Sequence, residues 1–186
     1  MSKGFSLLEV LVVTLIIAVL ASLAVSDYQK AIERSRASEA ITLLTALYKA
    51  EKLYQLEHGK FANSLDSLKF SFRGTHVTCT QNNKSPCWGY YNTDAIQNKD
   101  WSVELEKGKN PSIAVGRISG PYAGAGFFIQ LARADGVQYP LEKMACIENV
   151  KGKLKYKKKD GTYCIDLLDG TLHSKNGTNR KYDFPL

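Results

Sequence analysis

The side chains able to do chemistry in this chain are few and widely spaced. Four cysteines stand at Cys79, Cys87, Cys146 and Cys164, and three histidines at His58, His76 and His173. None of the cysteines falls in a C-x-x-C pair. Zinc sites need ligands paired at short spacing, so no metal and no cofactor is expected. An even cysteine count suits disulfides instead. Four cysteines permit three connectivities, of which Cys79–Cys87 with Cys146–Cys164 is the simplest. The chain has no G-x-S-x-G, no phosphate-cradling glycine loop and no H-E-x-x-H, and no histidine lies near a candidate nucleophile in sequence. Nothing in this pattern argues for an enzyme.

Two charged features remain. Glu9 is the one strongly polar side chain between Phe5 and Val25, alongside Ser6, Thr14 and Ser22. A carboxylate at the middle of a bilayer costs about 2.5–3.5 kcal/mol, so a charge here calls for a partner. The second feature is the lysine run Lys151, Lys153, Lys155, Lys157, Lys158 and Lys159. If Lys151–Lys157 is extended, alternation puts four lysines on one face and Leu154 and Tyr156 on the other. Such a face would suit DNA, an anionic polymer or a membrane. The preferred reading is a solvated edge strand protected from aggregation by its lysines. The net charge of +7 and pI near 9.2 fit either an anionic partner or simple solubility. Trp88, Tyr90, Tyr91 and Trp101 could form an adhesive surface cluster, but such aromatics more often complete the core of a small head.

These groups must be positioned by a chain of 186 residues, enough for one ordinary domain. The apolar run from Phe5 to Val25 is long enough to cross the roughly 30 Å of a bilayer core as a helix. A cleavable secretory signal, ending near Ser22-Leu23-Ala24, gains nothing from Glu9. The helical pattern also continues beyond that point, because neither proline nor glycine interrupts Phe5–His58. Ala40, Ile41, Leu44, Leu47, Tyr48 and Tyr54 recur at three- and four-residue steps, opposite Glu39, Lys49, Glu51 and Lys52. One helix of roughly 80 Å at the standard rise is therefore expected, apolar all round at first and amphipathic later. Gly59 is its expected C-cap.

The sequence Lys3-Gly4-Phe5-Ser6-Leu7-Leu8-Glu9, followed by Val10–Ile17, resembles the class III signal of type IV prepilins and pseudopilins. The resemblance implies that a prepilin peptidase cuts after Gly4 and methylates the new amine of Phe5. It implies that Glu9 pairs with the α-amine of a neighbouring subunit during assembly. An inner-membrane platform protein, assembly ATPases, other pilins and copies of the same chain are the partners it implies. The chain would be single-pass in the inner membrane before assembly. Afterwards it would lie in an extracellular or periplasm-spanning filament. The chain departs from many relatives at Ala18, where they have glycine, and at Ser26, where they have proline; both residues favour helix more strongly.

The implied organisation is a leader at 1–4, a transmembrane and polymerisation helix at 5–25, an amphipathic continuation at 26–58 and a head at 59–186. The expected fold is α+β, type IV pilin-like, with the second half of the helix packed on an antiparallel sheet. Within the head, Asn63 or Ser64 is placed to cap a short turn pinned by Leu65 and Leu68. Residues 74–99 read as a loop. Strands are expected at Trp101–Leu105, Ser112–Ile118, Phe127–Leu131, Met144–Glu148 and Tyr163–Leu168, with a hairpin signal at Asp160-Gly161. Cys146 and Cys164 bracket a segment resembling the disulfide-bounded C-terminal region of type IV pilins. The function implied is that of a filament subunit serving adhesion, motility or DNA uptake. Its rivals are a type II secretion pseudopilin, a minor tip pilin acting as a DNA or surface receptor, and a cleaved secretory protein beginning near Val25.

Overall fold

The computed structural model describes residues 6–79, 87–88, 93–108, 110–132, 141–149, 154, 156–159, 161–176 and 179–183. One helix, α1, runs Leu7–His58 through Ala18 and Ser26 without a break. The chain divides into two compact units, Met1–Arg36 and Ala37–Leu186, and the division falls inside α1.

In the first unit the described apolar side chains from Leu7 to Val25 are all exposed. Leu7, Leu8, Leu11, Leu15, Ile16, Ile17 and Leu20 are among them. Polar groups here are satisfied locally. The Thr14 hydroxyl donates to the Leu11 carbonyl at 2.9 Å and the Ser22 hydroxyl to the Val19 carbonyl at 2.7 Å. Such back-bonding lets hydroxyls sit in lipid without an unmet donor. The segment is long and apolar enough to cross a membrane.

The second unit begins where the apolar pattern narrows to a stripe. Ala37, Ala40, Leu44, Leu47 and Glu51 are buried at alternating three- and four-residue steps, which keeps them on one helical face. Gly59 ends α1 with φ of +70° and donates its N–H to the Gln55 carbonyl at 2.8 Å. A side chain there would be strained, which is why the helix stops where glycine occurs. A short 3₁₀ turn follows at Leu65–Ser67, with Ser64 as its N-cap. The Asp94 carboxylate accepts from the Leu65 N–H at 2.7 Å and the Ser64 hydroxyl at 3.0 Å, tying this turn to the sheet.

Among the described residues eight antiparallel strands form one sheet: β1 Thr75–Cys79, β2 Thr93–Gln97, β3 Trp101–Glu106, β4 Ser112–Arg117, β5 Ala125–Gln130, β6 Met144–Asn149, β7 Thr171–Asn176 and β8 Asn179–Asp183. The order is β1-β2-β3-β4-β5-β6-β8-β7. The first six strands are a meander, and the final hairpin enters in reverse so that β8 pairs with β6. One face carries Trp101, Val103, Leu105, Ile113, Val115, Phe127 and Ile129 into a core shared with Leu44, Leu47 and Leu65. This is the expected α+β arrangement.

The sheet differs from expectation in three places. Residues 74–99 are not wholly loop, since β1 and β2 flank the described pair Cys87-Trp88. Tyr163–Leu168 is not a strand but a run of turns, because the N–H groups of Ile165 and Asp166 both fold back onto the Gly161 carbonyl. The last two strands lie in a polar stretch with no apolar alternation. Asn176 pairs with Asn179, so two residues join β7 to β8.

Candidate assembly helix and the head that carries it

Glu9 sits in the first turn of α1. Its Oε2 accepts the Ser6 N–H at 3.2 Å, and the Ser6 hydroxyl accepts the Leu8 N–H at 3.3 Å. The Val10 N–H reaches the Ser6 carbonyl at 3.3 Å, the first helical bond. Ser6 is thus the cap of α1 and Glu9 its reciprocal partner. The helix places this carboxylate at its positive end, where a negative charge is favoured. Gly4 and Phe5, the expected cleavage and methylation positions, lie outside the described residues.

The cysteines are bonded as Cys79–Cys87 and Cys146–Cys164, each with Cα atoms 5.9 Å apart. The second bridge has a companion that the sequence reading missed. Glu148, two residues beyond Cys146 on β6, is fully buried. Its carboxylate accepts the N–H groups of Gly161 at 2.6 Å, Tyr163 at 2.8 Å and Cys164 at 3.1 Å. A buried charge is tolerable when several backbone donors converge on it. Strand alternation was the available signal, because it puts Glu148 on the same face as Cys146.

The first bridge ties Cys87 to the end of β1, and the adjoining Trp88 lies on the opposite face of the sheet. There Trp88 packs with Ala114, Phe128, Ala145 and Ile147 in a second, smaller core. Gly116 and Gly126 pair across β4 and β5, and a Cβ on Gly116 would lie 1.9 Å from the Trp88 ring. A Cβ on Gly126 would lie 2.9 Å from the same ring. The two glycines form the slot that the indole fills. Below it, the Glu104 carboxylate accepts the Trp88 N–H at 2.8 Å and the Ser102 hydroxyl at 2.6 Å. Both faces of β4 and β5 are therefore buried. Trp101 is buried in the main core with the Arg117 guanidinium 5.1 Å from its ring centroid. Neither tryptophan is a surface adhesive group. Tyr90 and Tyr91 lie outside the described residues.

Of the lysine run, Lys151, Lys153 and Lys155 lie outside the described residues. Lys157, Lys158 and Lys159 are exposed, and Lys158 Nζ stands 4.1 Å from the Tyr122 ring centroid. Leu154 and residues 156–159 are not in a strand, so the expected lysine-bearing edge strand is not formed by them. Leu154 instead packs on the Trp88 cluster and Tyr156 in the main core, and this anchors the segment. Burial pushes the Tyr156 phenol up, and the Glu148 charge adds to the rise.

Glu51 is a further buried carboxylate that the sequence reading missed, at a helical position expected to form a solvated face. Its Oε1 accepts the Ala62 N–H at 2.7 Å, holding the chain as it returns from α1. Burial raises its carboxyl above the ordinary range, opposed by that hydrogen bond. Among the described residues no group of three or more His, Cys, Asp and Glu side chains is placed to hold a metal ion.

The model of the prokaryotic N-terminal methylation motif matches residues 1–25. The chain is 36% identical over 70 residues to the type IV major pilin protein PilA of Myxococcus xanthus, a match covering 38% of this chain and 32% of the relative. It is 39% identical over 61 residues to the type IV major pilin protein PilE1 of Neisseria gonorrhoeae, covering 33% and 37%. A fimbrial protein of Neisseria meningitidis serogroup A is 36% identical over 64 residues, covering 34% and 38%. Each match thus covers about a third of the relative's own length. No solved structure matches the chain significantly. The chain thus carries a prokaryotic N-terminal methylation motif over residues 1–25 and is similar to type IV major pilins over about a third of its length, with one long helix ahead of an antiparallel sheet.

Proposed function

We propose that this chain is a structural subunit of a type IV pilus-like filament, held first in the inner membrane and then packed through its N-terminal helix against copies of itself. The observation that carries the reading is the exposure of every described large apolar side chain from Leu7 to Val25. Covering one such side chain is worth about 1.5–3 kcal/mol. The same surface is satisfied by lipid before assembly and by neighbouring helices after it.

On this reading a prepilin peptidase cuts between Gly4 and Phe5 and methylates Phe5. A platform protein and assembly ATPases extract the subunit, and Glu9 receives the α-amine of a neighbour. A carboxylate in apolar surroundings needs a cation, and that amine supplies one. The methylation motif over residues 1–25 supports this sequence of events. The test is Glu9→Ala, scored for membrane insertion and for filaments in the native host. Insertion with filaments lost is the expected result. Normal filaments would remove the pairing role.

A further inference from the structure

Glu9 has a second partner besides any neighbour, and it lies within the same chain. Ser6-Leu7-Leu8-Glu9 has the serine-x-x-glutamate spacing of a reciprocal helix cap, and both of its hydrogen bonds are formed. Leu7, Leu8 and Glu9 are all exposed, so among the described residues no other part of the protein shelters this turn. The first N–H groups of a helix have no partner within it, and a lipid environment offers them no water. The cap meets the Leu8 donor through Ser6 Oγ and the Ser6 donor through Glu9 Oε2. Among the described residues, no donor meets Glu9 Oε1.

We propose that Ser6 is a positioning residue for Glu9. The cap holds Oε2 against the first turn of α1 and leaves Oε1 for the amine of a second copy. This rests on the filament reading for its consequence, but the cap itself does not. Without the cap the carboxylate swings freely and the first turn frays, so a neighbour's amine meets a mobile target. The atoms involved all belong to Ser6–Glu9, so the cap is present before and after a cut at Gly4-Phe5.

The test uses the full chain, labelled with ¹⁵N and ¹³C, in detergent micelles, together with filament yield in the host. Ser6→Ala is expected to speed amide exchange at Leu8 several-fold, to shift the Glu9 carboxyl ¹³C signal, and to lower filament yield several-fold. Ser6→Thr, which restores the hydroxyl, is expected to return all three to the original values. Glu9→Gln keeps an oxygen acceptor for the Ser6 N–H and leaves the Ser6 hydroxyl in place for Leu8, so both amides stay protected while filaments are lost. Wild-type exchange and carboxyl signal in Ser6→Ala would overturn the cap. Fraying with wild-type filament yield, or fraying and loss that Ser6→Thr does not repair, would overturn the positioning role. Filaments from Glu9→Gln would instead overturn the amine pairing and leave the cap standing. The micelle measurements apply equally to uncut precursor, so a processing defect in a variant leaves the cap testable.

Discussion

Ile16 and Leu44 are similar side chains on the same helix, yet 51% of one is exposed and none of the other. In the head, apolar residues occupy one face of α1 and the sheet covers them. From Leu7 to Val25 they occupy every face, and the described ones are all exposed. The difference is one of pattern rather than composition, because a sheet can shelter a stripe but not a full circumference. A helix apolar all round is left with two environments, lipid or other helices. One chain therefore carries a region whose stability is its own and a region whose stability is supplied by its surroundings.

Changes that touch only one region sharpen this contrast. Trp88→Ala empties the glycine slot on the outer face of the sheet and is expected to lower the unfolding free energy of the head by about 3–5 kcal/mol. Ile16→Ala is expected to change it by less than about 0.5 kcal/mol, since Ile16 is exposed and is not part of the head's core. Denaturant unfolding of the full chain in detergent, followed by tryptophan fluorescence, checks both. A large effect from Ile16→Ala would break the separation of the two regions.

Replacing Cys146 and Cys164 together by alanine is expected to cost about 2–4 kcal/mol in the same assay, from the freedom returned to the unfolded chain. Membrane insertion should be unchanged. The segment around Cys164 should stay seated, because the Glu148 carboxylate still holds three of its backbone donors. Amide exchange at Gly161, Tyr163 and Cys164 measures this directly.

The smallest expected effect is a pH slope. Burial raises the Glu51 carboxyl in the folded head above its unfolded value. Below the unfolded value both states are protonated and no penalty exists. As pH rises from there through the folded value, the unfolded state ionises first and stability falls; above it the loss is complete. Glu51→Gln removes this term. The difference in melting temperature between the variant and the parent should therefore move in the variant's favour as pH rises from about 4 toward 7, and a constant difference would show that Glu51 ionises normally when folded.

Much of this was legible in the sequence. The long helix, its end at Gly59 and four central strands announce themselves by periodicity and by glycine. The covered outer face does not, because it depends on Trp88 arriving from a segment remote from Gly116 and Gly126. The glycines in β4 and β5 were visible, but the ring that fills their slot was not assignable by spacing. Glu51 and Glu148 are hidden for a related reason. Charged residues read as solvent-facing until the backbone donors that satisfy them are brought close by folding. The final hairpin is hidden because β7 and β8 lack apolar alternation, although the Asn176-Gly177 dipeptide between them is a tight-turn signal.

The central claim is that the exposed apolar segment belongs to the working protein rather than to a discarded signal. Intact-mass and N-terminal analysis of the chain from its native host tests this most directly. A mature chain beginning at N-methylated Phe5, with Glu9 and the whole apolar run retained, is the predicted result. A chain beginning near Val25 would contradict it.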